Sequence, residues 1–188
     1  FALFHRHSYS GCKPAIGDII LGMAALAAEC NNIHKAEHVR EKLAEIIMVT
    51  ELGYAAGYTA SDLGGPKVFM PGKGFVPYGP GSYIPHSIYC NVGRCLSGEA
   101  VWRESEILCD ISGGITATFP YEKDFLNPEI GELLLKYTKR NPNMSSEDQA
   151  QFWRYLGDKL CSATGGIRNI GAYHGGGSPI MEQIAITT

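Results

Sequence analysis

Apolar positions along the chain fall into long helical runs separated by glycine- and proline-rich breaks. Residues 14–31 are rich in Ala, Leu and Ile on nearly every face, and Pro14 occupies a plausible first helical position, so the stretch predicts a buried helix. Over residues 33–63 the apolar positions Val39, Leu43, Ile46, Ile47 and Leu52 recur near helical spacing with charges between them, predicting one long helix that stops at Gly64-Gly65. Residues 65–85 hold too many glycines and prolines for either regular element and predict an ordered loop or crossover. A third helix is expected over about 86–109, and further helices over 128–140, over 145–163 and after Ser178-Pro179; Ser145-Ser146-Glu147-Asp148 has the form of a cap followed by first-turn acids. Breaks are expected at 112–128 and, as an awkward linker, between Gly165-Gly166 and the 175–177 glycines. Strand-like patterning is confined to short pieces such as 115–119. The expected fold is all-α, an antiparallel bundle of long helices.

Composition narrows the function classes. With 188 residues and 45% apolar content the chain can bury a real core, and a formal charge of -3 with scattered lysines and arginines gives no field for a phosphate backbone. Nucleic acid is not an expected partner. No run approaches the ~18 uninterrupted apolar residues of a membrane span, and no leader pattern opens the chain, so the expectation is no membrane and a cytoplasmic setting. The chain begins on Phe1 with reactive residues directly after it, which reads as the cut edge of a longer polypeptide. Six cysteines in such a chain are expected as thiols or metal ligands, not disulfides.

Two patches are dense in chemistry. "FHRHSYSGCKP", residues 4–14, sits ahead of the helix expected at Pro14, which would place Cys12 and Lys13 at a helix N-terminus, where free N–H groups favour a thiolate. His5 and Cys12 could converge on one metal ion or cluster with the Tyr9 phenol beside it, the other ligands coming from another segment; a histidine-rich lead-in of no special role is the alternative. "ATGGIRNIGAYHGGGSPIMEQ", residues 163–183, combines glycines with Arg168 and His174 ahead of a helix start, an arrangement that could cradle a pyrophosphate or carboxylate, or be a plain turn. "HKAEH", residues 34–38, fits the H-x-x-E-H pattern of some zinc proteases if His34 and His38 share a helix face, and is otherwise a solvated helix start. The remaining cysteines read as small core hydrophobes.

Together with "SGGITATFPYEKDFLNPE", the two patches resemble the C-terminal part of the 4-hydroxybutyryl-CoA dehydratase/vinylacetyl-CoA delta-isomerase branch of the flavin-dependent 4-hydroxyphenylacetate 3-hydroxylase superfamily. The resemblance covers essentially the whole chain, and "HRHSYSGCKP" is its most specific element. It implies a scaffold similar to the acyl-CoA dehydrogenase C-terminal domain, FAD, and a 4Fe-4S cluster held by three cysteines and one histidine. Carried over by position, His5 and Cys12 are metal ligands, and His5, Tyr9 and Lys13 are catalytic. Arg168, His174, Gly175 and Gly176 are cofactor contacts. Residues 1–13 become an interdomain segment bearing ligands, and 14–188 the helical domain. The implied partners are a C4 acyl-CoA substrate, the N-terminal part of the same polypeptide, and like chains in a homotetramer or homodimer. The implied reaction removes water from 4-hydroxybutyryl-CoA by a one-electron route, because the β-hydrogen is not acidic; the fragment alone is expected to be inactive. One departure stands out: where the family has a glutamate shortly before the His-Gly segment, this chain has Asn169, Ile170 and Gly171. Alternatives are a cluster-free hydroxylase-branch domain and a non-catalytic oligomerisation module.

Overall fold

The computed structural model describes residues 2–70, 72–77, 79, 81–175 and 177–187, with the backbone alone for 68–70. The described residues form α1 (Ala2–Cys30), α2 (Glu37–Asp62), β1 (Lys67–Met70), β2 (Gly74–Pro77), α3 (Ser87–Ser112), α4 (Ile115–Thr118), α5 (Glu122–Phe125), α6 (Gly131–Thr138), α7 (Ser146–Cys161), α8 (Ala163–His174) and α9 (Pro179–Thr187). The all-α expectation holds. Two compact units partition the chain: one comprises 1–18, 47–101 and 171–188, the other 19–46 and 102–170.

In the first unit the long helices approach through small residues. A Cβ at Gly57 would lie 2.4 Å from the Ser10 Cβ, one at Gly17 2.3 Å from Thr50 Oγ1, and one at Gly93 2.8 Å from the Ala56 Cβ. Ser10 meets Gly57 and Gly17 meets Thr50, while Gly53 meets Ser97 and Ala56 meets Gly93, so α1 and α2, and α2 and α3, run antiparallel here. This packing explains the first correction to the sequence reading. Pro14 is not a helix start: α1 is continuous from Ala2, with Pro14 inside it. An internal proline removes one hydrogen bond and crowds the preceding turn, at a cost of ~3 kcal/mol. Against that cost, burial of Tyr9, Ser10 and Lys13 holds the turns before it in place. Although its apolar run is interrupted, α1 is long and apolar enough to cross a membrane by length and composition; 44% of that stretch is buried within the fold.

The glycine-rich stretch after α2 is a hairpin, not a plain loop. β1 and β2 pair antiparallel from Lys67 opposite Pro77 to Met70 opposite Gly74, and a bridge between Gly65 and Ile84 closes its base. Gly72 and Gly74 take positive φ of 78° and 70° at the turn, which other residues rarely adopt.

In the second unit, Ile107, Leu108, Trp153 and Leu156 are fully buried. The end of α1 is closed by a Schellman arrangement: Ile33 N–H donates to Ala28 O, Asn32 N–H to Glu29 O, and Asn32 has φ 58°. Gln149 is buried and fixes the turn before α7, accepting from Arg140 N–H and Asn141 N–H and donating to Asn141 O. Ser145 caps α7 as expected, its Oγ accepting from Asp148 N–H at 2.9 Å. Two further expectations fail here. Residues 115–118 are helical, not extended, and Gly165-Gly166 lie inside α8. A Cβ at Gly165 would meet Lys159 O at 2.5 Å, so the glycine serves a tight α7–α8 turn.

Candidate functional site

The two dense patches meet in the first unit. Tyr9 is 4% exposed, and its hydroxyl donates to Ala172 O at 2.6 Å. The ring lies against the Arg94 guanidinium, 4.3 Å from its centroid, and a Cβ at Gly175 would come within 3.4 Å of it. Arg94, fully buried on α3, donates from Nε to Gly175 O and from Nη2 to Tyr173 O and Gly177 O. A guanidinium facing the carbonyls at a helix C-terminus is favourably placed against the dipole. Glu182 of α9 is also fully buried, with its Oε1 3.6 Å from Arg94 Nε and 3.8 Å from Arg6 Nε. Among the described residues nothing donates a hydrogen bond to either carboxylate oxygen. Burial pushes this carboxyl above its ordinary range; Arg94 and then Arg6 pull it down, and Glu99 adds to the rise. Arg6 completes the group by donating to Asn91 Oδ1 at 2.7 Å.

His5 and Cys12 lie on α1, not in a lead-in before a helix. Cys12 is therefore mid-helix, and the dipole argument for a thiolate there falls away. Helical geometry instead puts residues seven apart on one face, two turns or ~10.5 Å apart along the axis. Both are exposed. The two can supply at most part of a metal centre, since no group of three or more His, Cys, Asp or Glu among the described residues could hold a metal. Lys13 is 1% exposed, so its ammonium sits inside the fold instead of on the ligand face.

Beside that face a cavity of about 310 Å³ is lined by His7, Ser8, Ser10, Tyr54, Tyr58 and Ser61, among others. His7 Nε2 lies 2.8 Å from Ser61 Oγ.

The other candidates separate. His174 is exposed at the end of α8, edge-on to Tyr173; Gly175 is half-buried over Tyr9; Gly176 lies outside the described residues. Arg168 belongs to the second unit, where it donates to Asn169 Oδ1 from Nε and Nη2; burial lowers its pKa, with Glu104 and Tyr155 acting the other way. His34 stands in the turn before α2 while His38 is inside that helix, so "HKAEH" has no shared helix face. Arg94 and Glu182 were missed by sequence reasoning. The available signal was a charge set among small residues: Arg94 has Gly93, Ser97 and Gly98 as neighbours on α3.

Comparison with known proteins gives concordant matches. A family model described as 4-hydroxyphenylacetate 3-hydroxylase C terminal matches residues 1–188. The 4-hydroxybutyryl-CoA dehydratase/vinylacetyl-CoA-Delta-isomerase of Clostridium aminobutyricum is 30% identical over 194 residues, covering 99% of this chain and 37% of the relative. The solved oxygen-tolerant archaeal 4-hydroxybutyryl-CoA dehydratase from N. maritimus superposes with TM-score 0.83 at 29% identity, over 100% of this chain and 35% of that one. The oxygenase component of 4-hydroxyphenylacetate 3-monooxygenase, solved with FAD and 4-hydroxyphenylacetate, gives 0.79 at 25% identity, over 97% of this chain and 36% of that one. The chain thus spans little more than a third of the length of these relatives.

Proposed function

Because the chain belongs to the 4-hydroxyphenylacetate 3-hydroxylase family, matching its C-terminal region from end to end, we propose that it is the helical C-terminal part of an FAD- and 4Fe-4S-dependent dehydratase. The reaction converts 4-hydroxybutyryl-CoA to crotonyl-CoA and shifts the double bond of vinylacetyl-CoA. The observation that carries this reading is the pairing of exposed His5 and Cys12 on one face of α1 with Tyr9 of the same helix locked to the 172–177 segment. The similarity to two dehydratases over the whole chain supports it.

In this reading His5 and Cys12 supply two cluster ligands, and two thiolates come from the N-terminal part of the same polypeptide. When bound, the cluster offers a Lewis-acidic iron for the leaving hydroxyl, and FAD offers the one-electron chemistry. The chain's own groups handle protons and position. The His5 imidazole, exposed on its helix, can take a proton when it is not a ligand. Tyr9 holds its proton at Oη against Ala172 O, and its buried ring fixes where that phenol stands. Lys13 places a buried positive charge behind the ligand face. His174 and the glycines after it would hold the flavin; Arg168, which belongs to the second unit, is the further cofactor contact that the family resemblance implies. Residues 1–13 act as the interdomain segment, the assembly is a homotetramer or homodimer in the cytoplasm, and this piece alone is inactive.

A cluster-free flavin oxygenase is the second reading, favoured by the oxygenase relative. Anaerobic iron and sulfide analysis with flavin absorbance on the full-length protein separates the two. The dehydratase reading expects a four-iron cluster that is lost or degraded in His5→Ala and Cys12→Ala. Iron content indifferent to both substitutions refutes it.

A further inference from the structure

The Arg94–Glu182 pair has no part in the reading above, yet it is the most fully buried charged group near Tyr9. Removing a guanidinium from water is costly unless a counter-charge accompanies it. Three backbone carbonyls receive Arg94, those of Tyr173, Gly175 and Gly177, but carbonyl dipoles alone leave a full positive charge inside the protein. Glu182 supplies the compensation at 3.6 Å. The site is shaped for this guanidinium: a Cβ at Gly98 would fall 1.9 Å from Arg94 Nη1, and only glycine leaves that volume free. Gly177, with φ 125°, brings the backbone in beside Glu182 and Arg6, where a Cβ would sit 3.6 Å from the carboxylate and 3.3 Å from Arg6 Nη2. Gly98 thus keeps the guanidinium's space open, whereas at Gly177 it is the positive φ that calls for glycine.

We propose that Glu182 is a positioning residue: its carboxylate holds the Arg94 guanidinium, and through it the ring and phenol of Tyr9, against the backbone carbonyls of Ala172, Tyr173, Gly175 and Gly177. Among the described residues no group donates a hydrogen bond to this carboxylate, which acts by its charge between two guanidiniums. Arg94 then serves two surfaces at once, stacking on the Tyr9 ring and gathering the carbonyls of the glycine-rich turn. Tyr9 Oη is set by the same turn, because its acceptor, Ala172 O, lies just before those carbonyls. That Tyr9 acts on substrate rests on the proposed function; the clamp itself does not.

The test follows the Tyr9 side chain directly, by 13Cζ-tyrosine NMR of the full-length protein with the Tyr9 line assigned by its loss in Tyr9→Phe. Glu182→Gln keeps the shape and removes the charge, and is expected to displace the Tyr9 line; Glu182→Asp, which keeps the charge, brings it back toward its original position. Gly98→Ala forces the guanidinium aside with Glu182 intact and is expected to displace the same line. In the holoenzyme Glu182→Gln should lower kcat about 10- to 100-fold with KM nearly unchanged, the pattern of a misplaced reacting group. A Tyr9 line unmoved in folded Glu182→Gln overturns the proposal, even if activity falls; should that variant not fold, an unmoved line in Gly98→Ala overturns it equally. A line that moves as expected while Tyr9→Phe keeps full activity sustains the clamp and refutes the catalytic reading of Tyr9.

Discussion

One methyl group added at two glycines of the first unit should move stability in opposite directions. Gly57 is buried on α2, and a Cβ there would stand 2.4 Å from the Ser10 Cβ and 3.6 Å from its Cα. Carbon atoms rest at ~3.5–4.0 Å, so the separation must grow by more than ~1 Å. The obstructing atom is fixed to the α1 backbone and cannot swing away, so the helices must part. Overpacking of this kind costs ~1–3 kcal/mol, partly offset by the ~0.5–1 kcal/mol gained when alanine replaces a helical glycine. The difference spans about 0–2.5 kcal/mol, and a 2.4 Å approach to an atom that cannot swing away puts Gly57→Ala in its upper half, a loss of about 1–2.5 kcal/mol. Gly11, exposed on α1, has nothing within 4 Å of its virtual Cβ, so Gly11→Ala should gain about 0.5–1 kcal/mol. At roughly 2–4 °C per kcal/mol for a chain of this size, calorimetry or a urea transition resolves both shifts and their signs. A Gly57→Ala protein as stable as the parent, or a destabilised Gly11→Ala, refutes the close α1–α2 packing.

The other predictions concern the cap and the titrating groups. Ser145→Ala removes the acceptor for Asp148 N–H and should cost about 1 kcal/mol in a urea titration. Glu182 has a raised pKa in the fold, so its contribution to stability is complete below its ordinary value of 4.5 and is lost as pH rises through the folded value. The stability of the parent relative to Glu182→Gln should accordingly fall as pH rises, measured by denaturation at several pH values; a flat difference contradicts the buried carboxyl. Asp110 and Glu45, lowered by Lys42 and Arg103 respectively, act oppositely, their contributions being lost as pH falls. Cys30 and Cys90 are buried, and burial pushes both thiols up to about 11. At pH 8 they should react with a thiol reagent only after denaturation, and rapid labelling of either in the folded protein would count against its position.

The family resemblance and the candidate ligands were legible because they reside in local text. "HRHSYSGCKP" names His5, Tyr9 and Cys12, and helical class follows from periodicity and caps such as Ser145 and Pro179. Where a local signal conflicted with packing, packing won. Pro14 looks like a helix start, yet α1 passes through it because Tyr9, Ser10 and Lys13 in the turns just before it are buried. Gly165-Gly166 looks like a break, yet its missing Cβ permits the close turn into α8. The hairpin at 67–77 lacked the alternation that announces strands and depends on glycines at positive φ.

By itself, then, the amino-acid order determined helix content, many element boundaries and which side chains are candidates for chemistry, since each of these depends on residues a few positions apart. Only the tertiary structure decided what surrounds Tyr9. Arg94 and Ala172 reach it from 85 and 163 residues away, and Glu182 reaches Arg94 from a fourth helix. A buried charge declares itself only when the fold excludes water from it, and no window along the chain contains that information.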